Sequence, residues 1–244
     1  MNYIGIIGGS GLTKLALADL KIERHQLVMT PFGEPSGPFT FGEYAGTAVV
    51  FLPRHGSGNR IPPHRVNYRA NIWAFHHIGV TNLIGVASVG GINMEPENLC
   101  FPDQLIDYTW GREQTFHSSD QGPVSHIEFT NPYCDALRQM LIDAARKAKL
   151  SAIETGTYGA TQGPRLETAM EIRRMKQDGC DLVGMTGMPE ASLARELGLC
   201  YASCSVVVNW AAGVTDGLIT MDDIETHTRV GMEKFEQLLA AINP

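Results

Sequence analysis

Short apolar runs recur at residues 3–7, 48–52, 82–86, 182–185 and 201–208, each of a length suited to a buried strand. Between several of them, residues 66–78, 132–148, 168–177, 189–197 and 221–242 set apolar side chains three and four apart, the spacing of helices that lay one face on a sheet. Strands that are apolar throughout, rather than alternating with polar positions, are covered on both faces. The two patterns together predict an α/β fold with a largely buried central sheet flanked by helices. At 244 residues and 43% hydrophobic content the chain is long enough for a full core. No repeat, low-complexity linker or composition break marks a boundary, so residues 1–244 are expected to form a single domain.

Polar, glycine-rich stretches collect just after the apolar runs: Gly8-Gly9-Ser10-Gly11, Arg54-His55-Gly56-Ser57-Gly58, Ser88-Val89-Gly90-Gly91, Thr186-Gly187 and Asn209. In open α/β sheets ligands gather beyond the carboxyl ends of the strands, so these stretches are expected to face one crevice. Each admits a plain and a chemical role. The first glycine loop lets the backbone approach an anion, with the Ser10 hydroxyl as an added donor, or it is a tight turn. It lacks the third glycine of the dinucleotide fingerprint, because Lys14 stands where that glycine is needed. Arg54 and His55 are paired for charge-assisted bonds to a phosphate, or the arginine simply ties a sheet end to a loop carbonyl. Ser88 offers an amide and a hydroxyl to the same anion, or is a satisfied core serine. Thr186 does likewise, or caps the helix before Pro189. Glu167, in a loop entering a helix, is ordinarily explained by the helix dipole, and Asn209 by a turn.

Charge narrows the partners. A formal net charge of −7 argues against coating nucleic acid, so a small anion has to be caught by a local site. The start of the chain has no basic leader followed by an apolar core, and no run reaches membrane-spanning length, which gives the expectation of a soluble, cytoplasmic protein. The five cysteines, Cys100, Cys134, Cys180, Cys200 and Cys204, are odd in number and lack paired spacing, so free buried thiols are expected, with no disulfide and no metal. His64, His76 and His77 lack ligand spacing and are given surface or structural roles.

Taken in order, residues 4–12, Arg54-His55-Gly56, residues 66–74 and Gly184-Met185-Thr186 resemble the methylthioadenosine phosphorylase branch of the trimeric purine nucleoside phosphorylases. The resemblance implies the nucleoside phosphorylase fold, with a central mixed, largely parallel, twisted sheet, and an activity that splits a purine from its sugar with inorganic phosphate as co-substrate and no cofactor. It implies that Ser10, Arg54, His55, Ser88 (through its backbone amide) and Thr186 bind phosphate and that Met185 lies against the ribose. It also implies a homotrimer, with His126 reaching the site of a neighbouring chain. Ala87 departs from the pattern, standing where adenosine-type members usually have a threonine that touches phosphate.

The base pocket departs further. Adenosine-type members carry a D-x-D motif for the purine amino group, and this chain reads Asn209-Trp210-Ala211. A carboxylate only accepts, whereas an amide donates to a 6-oxo group and accepts from a protonated N7. Residues 164–168 resemble the loop of inosine and guanosine phosphorylases in which a glutamate, here Glu167 beside Leu166, accepts the N1 hydrogen that adenine lacks. The residues thus favour a 6-oxopurine. Met221 aligns with the branch's small apolar pocket, which favours a methylthio group at the 5′ position. The best-matched substrate is S-methyl-5′-thioinosine, followed by inosine or guanosine and then methylthioadenosine. An inactive nucleoside-binding protein and a nicotinamide-dependent oxidoreductase are the alternatives of other classes.

Overall fold

The computed structural model describes residues 3–9, 20–117 and 126–242. All five expected strands are present: β1 (Ile4–Gly8), β4 (Thr47–Pro53), β5 (Asn82–Gly91), β10 (Leu182–Gly184) and β11 (Cys200–Trp210). Between them lie β2 (Lys21–Gln26), β3 (Phe39–Tyr44), β6 (Leu99–Cys100), β7 (Gln104–Asp107), β8 (Ala152–Ile153) and β9 (Thr157–Ala160). The helices are α1 (Tyr68–His77), α2 (Asp135–Lys147), α3 (Ala169–Gln177), α4 (Gly187–Glu196) and α5 (Met221–Ala241). Among the described residues no helix is long and apolar enough to cross a membrane.

One sheet joins all these strands in the order β2-β3-β4-β1-β5-β10-β9-β7, and β11, β6 and β8 branch from β5. At its centre β1 runs parallel to β4 and β5, and β11 runs parallel to β5. The pairing of β10 with β5 is antiparallel, so the sheet is mixed around a parallel centre, as expected.

Burial explains why the central strands read as unbroken apolar runs. Val50 and Leu52 of β4 join Ile7 in a core with Tyr68, Ile72 and Phe75 of α1 and Ala191, Leu193 and Ala194 of α4. Their neighbours Val49 and Phe51 join Ile4 and Ile6 in a second core with Leu137 and Leu141 of α2 and Met232, Phe235 and Leu238 of α5. Alternate side chains therefore enter opposite cores, and among the described residues α1 and α4 cover one face of the sheet while α2 and α5 cover the other.

Two expectations need correction. The polar stretches at Ser88–Gly91 and Asn209 do not follow strands but lie inside the last turns of β5 and β11, because those strands continue to Gly91 and Trp210. The cysteines are not all free thiols: Cys134 and Cys200 form a disulfide that ties the start of α2 to the start of β11. The two are 66 residues apart in sequence, and only the tertiary fold brings their Cα atoms to 5.1 Å. Cys100, Cys180 and Cys204 are free and buried, as expected.

Candidate active site

The ends of the central strands open onto a cavity of about 460 Å³. Gly9 after β1, Arg54 and His55 after β4, Ala87 and Ser88 in β5, and Met185 and Thr186 after β10 line one part of it. Leu166, Glu167, Asn209, Ala211 and Met221 line the remainder. Of the sequence-predicted site residues, ten meet in this one space. Ser10 lies outside the described residues. His126 is exposed on the segment before α2 and does not line the cavity of its own chain.

Arg54 is 1% exposed, and its guanidinium is locked into the core. Its Nε and Nη2 donate to the two carboxylate oxygens of Glu190, Nη2 also to the carbonyl of Ile7 at 3.0 Å, and Nη1 to that of Val86 at 2.7 Å. The sheet-end role and the cavity-lining role are thus held by the same side chain. Burial opposes its charge, but the Glu190 carboxylate outweighs that penalty and holds the guanidinium's pKa above the ordinary arginine value. Tyr201 donates to Glu190 Oε2 at 2.9 Å, completing a buried Tyr-Glu-Arg chain. Such a pair requires full satisfaction, since a lone buried charge is strongly unfavourable.

His55 carries no charge to share with a ligand at neutral pH. Its Nδ1 lies 2.8 Å from the carbonyl of Ile61, which can only accept, so Nδ1 holds the proton and Nε2 is an acceptor. Burial first, and then the neighbouring Arg54 charge, lower its pKa to about 4. Thr186 stands at the N-cap of α4 but makes no side-chain capping bond, which leaves its capping explanation without support. Its amide donates to the Tyr158 hydroxyl at 3.4 Å. That ring sits so close beneath the turn that a Cβ on Gly184 would fall 2.1 Å from the tyrosine oxygen. Only glycine fits there.

At the other end, the helix-dipole explanation of Glu167 passes to a different carboxylate. Thr168 and Glu171 form the reciprocal capping box of α3, while Glu167 precedes the cap and accepts from the Thr161 hydroxyl at 2.6 Å. Asn209 sits at a register irregularity in β11 and donates from Nδ2 to the Trp210 carbonyl at 2.7 Å. That bond fixes the amide's rotation and leaves a second N–H and the carbonyl oxygen to serve a ligand. Met185 packs against Gly163, whose φ of +62° and missing side chain make room for the thioether. Ile219, Met221 and Ile224 supply an apolar rim with Val208.

Three residues that hold the site are not singled out by any sequence motif. Glu190, Tyr201 and Thr161 act on residues 136, 11 and 6 positions away, respectively. A faint signal exists for Glu190: it is a carboxylate on the apolar side of a helix beside Ala191 and Leu193, where a charge has to be paired.

A branched mixed sheet with a cavity lined by hydroxyls, an arginine and an amide at its central strand ends defines a nucleoside-phosphorylase type of enzyme. A family model described as the phosphorylase superfamily matches residues 3–243, and the chain belongs to that superfamily. The chain is 49% identical to a Pseudomonas syringae pv. tomato protein named "Probable S-methyl-5'-thioinosine phosphorylase", covering 99% of this chain and 98% of that one. It is 42% identical to the 6-oxopurine nucleoside phosphorylase of Pyrococcus furiosus, covering 100% and 93%. Among solved structures, methylthioadenosine phosphorylase from Schistosoma mansoni in complex with adenine matches with a TM-score of 0.91 at 34% identity, covering 99% and 91%.

Proposed function

We propose that this enzyme cleaves the N-glycosidic bond of a 6-oxopurine nucleoside with inorganic phosphate, and that S-methyl-5′-thioinosine is its best-matched substrate. The observation that carries this reading is that Asn209 and Glu167 line the same cavity as Arg54, His55, Ser88 and Thr186. The names of the bacterial and archaeal relatives support it.

A phosphate oxygen attacks C1′ as the bond to N9 breaks, and the leaving purine takes the bonding electrons. No enzyme nucleophile is needed, so catalysis rests on positioning and on stabilising charge. Ser88 and Thr186 donate to phosphate beside Arg54, and Ser10 adds a further donor. His55 Nε2 accepts from a hydroxyl of the phosphate or the sugar. Asn209 accepts from N7 as it gains a proton and donates to O6, while Glu167 accepts from N1–H. Adenine has no N1 hydrogen and presents an amino group at position 6, so both contacts would be mismatched, at about 1–3 kcal/mol each. Met185 covers the ribose, and Met221 with Ile219 and Ile224 takes the methylthio group. The chain works without a cofactor as a cytoplasmic homotrimer in which His126 of a neighbouring copy closes the 5′ pocket.

The test is the initial rate of hypoxanthine release from S-methyl-5′-thioinosine and from inosine, each with and without phosphate. Strictly phosphate-dependent release, faster for the methylthio substrate, is the expected result. Faster release from inosine would remove the methylthio assignment, and release without phosphate would remove phosphorolysis itself.

A further inference from the structure

Beyond Gly184 and Ala160 the parallel ladder of β10 and β9 stops, its last bond running from the Thr161 amide to the Gly184 carbonyl at 2.8 Å. The β9 branch continues through Thr161 to Glu167, and the β10 branch through Met185 and Thr186 into α4. One guanidinium fills the fork. Arg112, on the segment after β7, donates from Nη2 to the carbonyls of Thr161 at 3.1 Å and Gln162 at 2.9 Å. Its Nε reaches the Gln162 side-chain oxygen at 3.2 Å. Its Nη1 serves the carbonyls of Met185, at 2.9 Å, and Met188, together with the Tyr68 hydroxyl at 3.2 Å. The charge also lies 5.3 Å from the Tyr68 ring centre.

Five N–H groups in a rigid plane thus face six oxygens drawn from both branches and from the first residue of α1. Where the sheet no longer supplies a partner strand, Arg112 takes its place. It therefore fixes the separation between the branch that carries Glu167 and the branch that carries Met185 and Thr186. We infer that Arg112 is a positioning residue for phosphorolysis: it sets the distance between the base-reading carboxylate and the sugar and phosphate ligands without touching substrate. This rests on the substrate reading above. Lysine cannot substitute, because a single ammonium has no fixed fork with which to span both branches.

The test compares wild type, Arg112→Ala and Arg112→Lys, each checked for a native melting transition. Activity on S-methyl-5′-thioinosine is read together with the rate of tryptic cleavage after Arg165, which lies on the β9 branch. Both variants are expected to lose about 100-fold in kcat/KM and to be cut faster at Arg165, and added guanidinium is expected to restore part of the Arg112→Ala activity. Arg112→Lys keeps the charge, so it remains informative if Arg112→Ala does not fold. Unchanged kcat/KM and cleavage in a folded variant would overturn the inference, as would lost activity without faster cleavage. A wild type that is inert on the nucleoside would overturn the substrate reading alone, since the cleavage comparison still judges Arg112.

Discussion

The two groups of cavity residues, proposed above as a phosphate end and a base end, are built in opposite ways. At the phosphate end, Arg54 and Glu190 are 1% and 0% exposed, and their bonds run into the core strands β1 and β5 and to Tyr201 of β11. At the base end, Glu167 rides on a loop with open space on both sides: the 460 Å³ cavity and a second one of about 350 Å³ lined by Thr161, Gln162, Gly163 and Arg165. The first arrangement couples the phosphate ligands to folding. The second leaves Glu167 resting on a few local bonds, so residues of its loop can change without disturbing the core. The contrast accounts for a chain whose body resembles one branch of the family and whose base pocket resembles another.

The largest expected difference between the ends is in stability. Glu190→Ala leaves Arg54 as a buried, unpaired cation and should cost about 3–5 kcal/mol in urea unfolding. A loss below about 1 kcal/mol would mean that the phosphate end is not anchored in the core. His55 adds a pH signature to the same end. Its folded pKa, about 4, lies below the unfolded value, so the unfolded chain binds the extra proton more readily. Stability should therefore fall by up to roughly 3 kcal/mol as the pH drops from about 6.5 to about 4, and His55→Asn should flatten that part of the profile.

Changes at the base end should cost folding less than Glu190→Ala. Asn209→Asp removes the amide that donates to the Trp210 carbonyl, so it is expected to cost about 1–2 kcal/mol in stability while lowering kcat/KM for oxopurine nucleosides about 10- to 100-fold, with little change in the KM for phosphate. Equal losses in both constants would erase the distinction between the ends. The smallest effect belongs to Thr161→Val, which removes the bond that orients Glu167. A loss of about 5-fold in oxopurine kcat/KM, seen in steady-state rates, corresponds to one ordinary hydrogen bond.

Legibility in the sequence follows the same physical divide. Strands β1, β4, β5, β10 and β11 announce themselves because both faces are buried, and α3 announces itself through Thr168 and its apolar spacing. Strand β2 does not, since every residue from Lys21 to Gln26 is exposed, and the two-residue strands β6 and β8 are too short to carry a pattern. Arg54, His55, Ser88, Thr186 and Asn209 could be named because they follow or end strands that could be found, whereas Leu166, Glu167 and Met221 take their roles from the family resemblance alone. The Arg54–Glu190 pair and the Cys134–Cys200 disulfide span 136 and 66 positions, and no local pattern encodes a contact at that range. Arg112 escapes notice for a similar reason: most of its partners are backbone carbonyls, which every residue type supplies.

The base end is proposed to select a 6-oxopurine through Asn209 and Glu167. Its most direct test is the ratio of kcat/KM for S-methyl-5′-thioinosine to that for methylthioadenosine, which share a sugar and differ only at the base. A ratio of at least about 100 in favour of the oxopurine is predicted. A ratio near one, or a preference for methylthioadenosine, would contradict it.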